Sequence, residues 1–166
     1  MDLFRWFLGE VSDVSCMIST QYFHEQPMED NGMATFRMHN GATASLHSSM
    51  TQWKNLFSFE IFGEDGYVLV DGLGASYGVE SLSFGKRDFT APFSTRTTEY
   101  RGGDKSWDVE WKDFAEAVRE GRQPTIGGVA DGIEALRLTL ACYESDRARR
   151  FVAMDEIVTA SAMKAA

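Results

Sequence analysis

The order of the predicted elements constrains the fold of this chain more than any other feature of its sequence. Six β-rich runs lie between residues 11 and 84, with Gly, Asn and Asp between them, and two long amphipathic helix patterns follow. The runs are Val11 to Phe23, Met33 to Met38, Thr43 to Met50, Leu56 to Phe62, Tyr67 to Val70 and Val79 to Phe84. Consecutive strands without an intervening helix pair as antiparallel hairpins. The order therefore predicts an antiparallel sheet rather than an alternating βαβ fold.

The turn at His39-Asn40-Gly41 predicts the register of one hairpin. A two-residue Asn-Gly loop would pair Met38 with Thr43 and mix apolar and polar residues on each face of the sheet. A three-residue loop with a left-handed Gly41 instead pairs Met38 with Ala42 and leaves one face wholly apolar. The further pairs in this register are Phe36 with Ala44, Ala34 with Leu46 and Met33 with His47. We therefore predict the three-residue turn, with a second hairpin turn at Gly63-Glu64-Asp65-Gly66.

Three helices complete the prediction. A short one covers residues 2 to 8 and ends at Gly9. After an irregular stretch from Gly85 to Gly103, apolar stripes at helical spacing mark two longer helices. The stripes are Trp107, Trp111, Phe114, Ala115 and Val118 in one, and Val129, Ile133, Leu136, Leu140 and Tyr143 in the other. We predict that both pack side by side on the apolar face of the sheet. The expected fold is a single α+β domain over residues 1–166, a two-layer sandwich with a largely antiparallel open-faced sheet and helices on one face.

Composition narrows the class of partner. The 166 residues carry a formal charge of −9, which disfavours binding to nucleic acid and to anionic lipid. The sequence has no run of 18 apolar residues and no secretory signal pattern, so we expect a cytoplasmic protein without a membrane partner. Aromatic residues make up 13% of the chain and predict a substantial core or a large contact surface. Cys16 and Cys142 have no CxxC partner and are interpreted as reduced core residues.

The familiar catalytic motifs are missing from the sequence. No GxGxxG or GxxxxGK[ST] pattern provides a phosphate loop, and Gly72-Leu73-Gly74 is only a fragment of one. The histidines, His24, His39 and His47, lack metal-binding spacing, so no metal site is predicted. Glu29-Asp30 is interpreted as a solvated loop or hairpin start rather than a pair of coupled carboxylates. No GxSxG elbow exposes a serine nucleophile.

One segment has a composition suited to a polar ligand pocket. Gln52-Trp53-Lys54-Asn55 combines an aromatic ring, a cation and two amides, which can stack on a ligand and hydrogen-bond to it. A hairpin turn with Trp53 folded over the sheet edge would have the same composition. The residues by themselves leave both interpretations open.

Four motifs in order carry a resemblance to a known family. DLFRWFLGEV at Asp2 to Val11 and EDNGMATF from Glu29, running on to Ala42, resemble the C-terminal domain of the glucose-fructose oxidoreductase, inositol dehydrogenase and rhizopine catabolism (Gfo/Idh/MocA) family. FEIFGEDG at Phe59 to Gly66 is similar to its strand-turn-strand step. DGIEAL from Asp131 and ACYES from Ala141 resemble its penultimate helix.

The resemblance implies a second domain and a reaction. Family members join an N-terminal Rossmann domain that holds NAD or NADP to this α/β domain, whose open sheet walls the substrate pocket and packs subunits together. The implied reaction is NAD(P)-dependent dehydrogenation of a sugar, cyclitol or related polyol, assisted by a Lys and a His. The implied partners are a polyol, the Rossmann domain in cis or in trans, and a second copy in a homo-oligomer.

The family's catalytic motifs fall outside this sequence. The dinucleotide motif, the Glu-Lys-Pro lysine and the Asp-x-Gly-x-His signature all belong upstream of Asp2, so no catalytic or cofactor-binding residue carries over. Gln52, Trp53 and Lys54 carry over as substrate-pocket candidates. Ser145 to Val152 departs from the family pattern because it lacks a small-Gly step before the last apolar residue. We expect the chain alone to bind no cofactor and to be inactive. The alternative is a stand-alone, non-catalytic polyol-binding or scaffold module.

Overall fold

The computed structural model of the chain describes residues 1–74, 76–90, 94–125 and 127–157. They form two compact units, the first from Met1–Thr51 and the described residues from Gly121 onward, and the second from the described residues of Gln52–Glu120. The elements of the first unit are α1 (Asp2–Leu8), β1 (Val11–Ser19), β2 (Asn31–Met38), β3 (Thr43–Ser49), α3 (Val129–Ala148) and β8 (Val152–Ala153). The second unit contains β4 (Ser58–Gly63), β5 (Gly66–Asp71), β6 (Glu80–Lys86), β7 (Ser94–Tyr100) and α2 (Ser106–Glu120). The predicted α+β class, antiparallel strands and three helices are confirmed.

The sheet of the first unit has the order β3-β2-β1-β8, with antiparallel pairing throughout. The predicted three-residue turn joins β2 to β3, because Met38 N–H donates to the carbonyl of Ala42 at 2.8 Å and Gly41 has φ 89°. Phe36 lies opposite Ala44 as predicted. The hairpin register was therefore predictable from face polarity and turn type together.

The core of the first unit lies between this sheet and α3. Its most buried side chains come from β1, β2, α3 and β8: Val14, Phe36, Met38, Leu138, Ala141 and Val152. Phe4 of α1 contacts the edge of this core, with its ring centroid 5.5 Å from that of Phe36. Val14 pairs with Val152 of the two-residue strand β8, which follows the segment that departs from the family pattern. Arg149 precedes this strand in the left-handed conformation at φ 52°.

The face of α3 that packs on β1 is not the predicted one. The predicted stripe is exposed along its length, from Val129 at 75% to Tyr143 at 44%. The buried face carries Leu138, Ala141, Cys142 and Ser145. Hydrogen bonds explain why this face of α3 is the buried one. The strand β8 pairs with only the start of β1, and side chains of α3 accept hydrogen bonds from backbone N–H groups of β1 beyond that point. Cys16 N–H donates to Ser145 Oγ at 3.0 Å, and Ile18 N–H donates to Asp146 Oδ1 at 2.9 Å.

The second unit contains a separate antiparallel sheet with the order β4-β5-β6-β7. The predicted single sheet is therefore corrected to two sheets of four strands. Gly63 and Gly66 flank the turn between β4 and β5, as predicted. β7 lies inside the stretch predicted to be irregular, and each of its seven residues is exposed. This edge strand has no alternating apolar face, so hydrophobic patterning could not reveal it.

The helix of the second unit begins and ends where its pattern predicts, but its apolar stripe is exposed. Trp107, Trp111, Phe114 and Val118 are exposed in α2, and Ala117 is its buried residue. The two long helices belong to different units, α2 to the second and α3 to the first. The predicted stripe on α2 is therefore not a core face in the part of the chain that the structure describes.

Candidate functional site

The predicted pocket residues lie in the connection between β3 and β4. Gln52, Trp53 and Lys54 are all exposed, and Trp53 has a left-handed backbone with φ 55° and 68% exposure. The three residues lie in one bend of the chain. Their role as a substrate-pocket wall stays a prediction.

A cavity of about 330 Å³ lies in the first unit, where α3 meets the ends of β1 to β3. This volume is at the lower end of the range typical of small-molecule sites. Apolar and sulfur-containing side chains line much of it, and polar groups lie among them. Its lining includes Met1, Cys16, Ile18, Met28, Leu46, Met50, Cys142, Glu29, Asn31, Ser48, Thr139 and Tyr143. Sequence analysis missed this site because its residues come from the chain start, four elements (β1, β2, β3 and α3) and the loops before β2 and after β3.

Tyr143 and Glu29 form a hydrogen-bonded pair in the lining of the cavity. The phenol of Tyr143 donates to Glu29 Oε1. This hydrogen bond holds the pKa of the Glu29 carboxyl below its usual range and raises the pKa of the Tyr143 phenol. The pair can accept and donate hydrogen bonds to a hydroxylated ligand. Tyr143 was predicted to be a core residue, and only the orientation of α3 places it here.

Asp30 has a different role from its neighbour Glu29. Its carboxylate is 3% exposed and accepts the backbone N–H groups of Gln21, Tyr22 and Phe23, at 2.7 to 3.0 Å. Burial raises the pKa of this carboxyl, but the three backbone donors outweigh burial and hold the pKa below its usual range. Asp30 therefore fixes the loop that brings Met28 and Glu29 to the cavity. The two carboxylates serve separate contacts.

The thiols of Cys16 and Cys142 lie together in the cavity wall. Cys16 packs against the buried cluster that contains Cys142, and Cys142 is itself buried. Burial raises the pKa of both thiols, that of Cys142 to about 12. Both are free cysteines, in agreement with the prediction that they are reduced. Their thiol form at neutral pH makes them weak nucleophiles.

The face of this sheet directed away from α3 is largely polar. A shallow groove of about 950 Å³ runs along it, with Met17, Met33, Thr35, Ser45 and His47 in its lining. Met17 and Met33 are 65% and 51% exposed. At one end of this face, His47 Nε2 lies 3.1 Å from Asn31 Oδ1, and Asn31 Nδ2 donates to Thr51 Oγ1 at 2.7 Å. The face thus presents hydroxyls, an amide and an imidazole beside two thioethers.

The glycine fragment at Gly72-Leu73-Gly74 does not fit a dinucleotide. It lies between β5 and β6 and leads into a strand, whereas a phosphate cradle needs a helix N-terminus after the loop. A Cβ atom at Gly72 would lie 2.7 Å from the carbonyl oxygen of Val79, so close backbone packing explains this glycine. We therefore derive no step through NAD or NADP on this chain.

Across residues 1–74, 76–90, 94–125 and 127–157, no three His, Cys, Asp or Glu side chains lie close enough together to hold a metal ion. In the same ranges, no helix has the length and hydropathy needed to span a bilayer.

Comparison with solved structures identifies the fold. A protein from Desulfitobacterium hafniense described as an NADPH-dependent oxidoreductase matches with a TM-score of 0.78 at 19% identity, over 95% of this chain and 46% of that one. The aldose-aldose oxidoreductase of Caulobacter crescentus, complexed with glycerol, matches with a TM-score of 0.70 at 22% identity, over 92% and 44%. The WlbA dehydrogenase of Bordetella pertussis, in complex with NADH and UDP-GlcNAcA, matches with a TM-score of 0.68 at 24% identity, over 92% and 41%. The chain thus spans less than half the length of these proteins.

Comparison of sequences points to the same fold. No curated protein matches the sequence. Residues 1–69 match the family model of the GFO/IDH/MocA C-terminal domain. This match contains three of the segments that carried the resemblance, Asp2 to Val11, Glu29 to Ala42 and Phe59 to Gly66. The resemblance is therefore confirmed: the first 69 residues match the Gfo/Idh/MocA C-terminal domain, and the chain has the fold of that domain.

Proposed function

We propose that this chain is the C-terminal substrate-binding and oligomerisation domain of an NAD(P)-dependent oxidoreductase that acts on a sugar, cyclitol or related polyol. The observation that carries the proposal is the family match of residues 1–69, together with a fold match over 92–95% of the chain. The matched proteins include an aldose-aldose oxidoreductase with glycerol and a dehydrogenase with NADH and UDP-GlcNAcA. Both of these ligands, glycerol and UDP-GlcNAcA, carry several hydroxyl groups, which supports a polyhydroxylated substrate.

The chain depends on a Rossmann domain, in cis or in trans, for catalysis. Hydride transfer requires a nicotinamide held against the substrate carbon and an acid or base beside it. The family resemblance assigns Gln52, Trp53 and Lys54 of this chain to the wall of the substrate pocket. Trp53 provides a stacking surface for a sugar ring, and the amide and ammonium groups bind its hydroxyls.

The exposed side of α1 and α3 supports docking of a Rossmann domain. Trp6 and Phe7 of α1 are 69% and 54% exposed, and the outer face of α3 adds Leu136 and Leu140. An apolar surface of this kind in one unit is typical of an interface. Three contacts with Asp2, Glu10 and Asp131 hold Arg5, which orients α1 against the start of α3.

The open face of the β3-β2-β1-β8 sheet supports the homo-oligomer. Met17, Met33 and Phe151 are exposed on it among Ser and Thr side chains. A mixed apolar and polar face is typical of subunit interfaces. We therefore expect a dimer or tetramer, and a clean monomer by light scattering at micromolar concentration would contradict this part of the proposal.

The decisive experiment reads the DNA upstream of the first codon and assays the longer protein. We expect a reading frame that ends in Asp-x-Gly-x-His, and NAD- or NADP-dependent oxidation of a sugar or cyclitol by the joined protein. The chain alone should show no binding of NAD, NADP or NADH by calorimetry. Micromolar binding of any of them to the chain would contradict the proposal.

The alternative function is a stand-alone polyol-binding or scaffold module. It is favoured by the cavity, because its lining, including Tyr143 and Glu29, lies entirely within the first unit. A native start codon at Met1 together with calorimetric binding of a polyol to the chain alone would establish it over the oxidoreductase domain.

A further inference from the structure

The sulfur atoms of this chain are concentrated around one cavity. Three of its eight methionines and both of its cysteines line the 330 Å³ space under α3. They are Met1, Cys16, Met28, Met50 and Cys142. These residues come from the chain start, β1, the loop before β2, the loop after β3 and α3, so only the tertiary fold gathers them.

The two cysteines are brought to the same cavity by the packing of α3 on β1. Both side chains line the cavity, and Cys16 packs against the buried cluster that contains Cys142. The backbone N–H of Cys16 donates to Ser145 Oγ, three residues after Cys142 and on the same face of α3. Ile18 N–H makes a second hydrogen bond to Asp146. This pair of hydrogen bonds fixes the helix against the strand at the position of the thiols.

Burial orders the sulfur groups from the inner end of the cavity to its opening. Cys142 is 5% exposed and Cys16 is partly buried. Met28 and Met50 are 59% and 61% exposed. The two cysteines therefore lie on the more buried part of the lining, and the two methionines lie on its solvent-exposed part.

We propose that this cavity is a binding site for a soft monovalent cation of the Cu(I) class, bound between the sulfur atoms of Cys16 and Cys142. Thiolate and thioether sulfur are the protein ligands that select such ions over hard cations. Binding forms two metal–sulfur bonds and releases the two thiol protons to solvent, with no change of oxidation state. The exposed Met28 and Met50 supply further thioether ligands at the opening. Neither cysteine is among the substrate-pocket residues Gln52, Trp53 and Lys54, but both line the cavity that the alternative polyol-binding module would use.

Competition for Cu(I) tests the site. The full chain, kept free of oxygen, is titrated with the Cu(I) complex of bathocuproine disulfonate, and the loss of the coloured complex measures transfer to the protein. We expect one tight site per chain and a higher unfolding temperature when it is filled, because the ion binds only the folded arrangement. Failure of the wild-type chain to compete would overturn the proposal.

Matched variants distinguish Cu(I) binding in this cavity from Cu(I) binding at sulfur-containing side chains elsewhere in the chain. Cys16→Ala and Cys142→Ala should each weaken binding by about 100-fold or more, since each removes a direct ligand. Met17→Leu with Met33→Leu removes two thioethers on the open sheet face and should leave affinity unchanged. Circular dichroism verifies that each variant folds. Retention of full affinity by the Cys16→Ala, Cys142→Ala double variant would overturn the assignment.

Spectroscopy of the unmodified chain provides a test that needs no variant. X-ray absorption of the Cu(I)-loaded protein should show sulfur neighbours at a distance near the ~2.3 Å of other thiolate–metal bonds. A first shell of nitrogen or oxygen would place the ion elsewhere and overturn the proposal.

Discussion

Gly85 shows how a single residue supports the sheet of the second unit. A Cβ atom at Gly85 would lie 2.3 Å from the Cε1 and Cζ atoms of Tyr67, so the Tyr67 ring occupies the space above this glycine. The phenol of Tyr67 is itself fixed by a 2.6 Å hydrogen bond with Thr95 Oγ1. The ring thus bridges β5, β6 and β7.

We predict that Gly85→Ala destabilises the protein by about 1–3 kcal/mol, because the new methyl group displaces the Tyr67 ring. Chemical denaturation measures the change in the free energy of unfolding. Gly102→Ala is the matched control, since nothing lies within 4 Å of a Cβ there. In a Tyr67→Ala background the cost of Gly85→Ala should largely disappear, and an unchanged cost would contradict the explanation.

Asp30 shows a second residue-scale effect, on the pH dependence of stability. Its folded pKa is held below the unfolded value of about 3.9 by three backbone donors. The stabilisation is therefore complete above that value and is lost as the pH falls through the folded pKa. Both carboxylate oxygens accept hydrogen bonds, so an amide cannot replace the carboxylate.

We predict that Asp30→Asn frees the loop at residues 21–23 and removes this acid-sensitive part of stability. Hydrogen exchange should show loss of protection at the amides of Gln21, Tyr22 and Phe23. Glu25→Gln, an exposed carboxylate in the same loop, should leave that protection unchanged. Equal protection in wild type and Asp30→Asn would show that the carboxylate does not hold the loop.

At the scale of elements, strands and helices differed in how well their sequences predicted their packing. In the β2–β3 hairpin, alternation and turn type admit one register, because a shift of one residue would reverse every side chain. In α3, apolar residues lie on two sides, so the sequence offers two candidate core faces. The N–H groups of Cys16 and Ile18 selected the face with Ser145 and Asp146. Such a partner in another element cannot be read from helix periodicity.

The corrected face of α3 leads to a prediction. Leu138→Ala should destabilise the first unit by about 2–5 kcal/mol, because Leu138 is 1% exposed in the core. Leu136→Ala, two residues away and 60% exposed, should cost far less in the isolated chain. Thermal or chemical unfolding compares the two variants. A larger loss of stability for Leu136→Ala than for Leu138→Ala would show that the face predicted from periodicity is the buried one.

At the scale of the whole molecule, the exposed apolar surface is the feature that most strongly indicates contacts with other domains or subunits. The outer side of α1 and α3 and the open sheet face are separate surfaces of the first unit, and the proposal assigns them to the Rossmann domain and to a second copy. Trp6 and Phe7 are the exposed aromatic residues that α1 contributes to the first of these surfaces. The sheet face carries only Met17, Met33 and Phe151 as large apolar groups.

We predict that Met33→Glu converts the oligomer to a monomer, because the introduced carboxylates would face one another across a symmetric sheet interface. Light scattering at micromolar concentration measures the mass. Leu56→Glu places the same charge at a position of similar exposure outside this face, and should leave the oligomer intact. An oligomer that survives Met33→Glu but not Leu56→Glu would locate the interface elsewhere.

The sequence by itself determined the strand order of the first hairpins, the three helices and the family resemblance. These features depend on local periodicity, turn residues and short motifs, all of which lie within neighbouring residues. Only the tertiary structure decided which side of α3 is buried, that β7 is an edge strand, and that Tyr143 meets Glu29. It also brought Cys16 and Cys142 together across more than a hundred residues of chain. Those outcomes depend on hydrogen bonds and packing between distant segments, which no local pattern encodes.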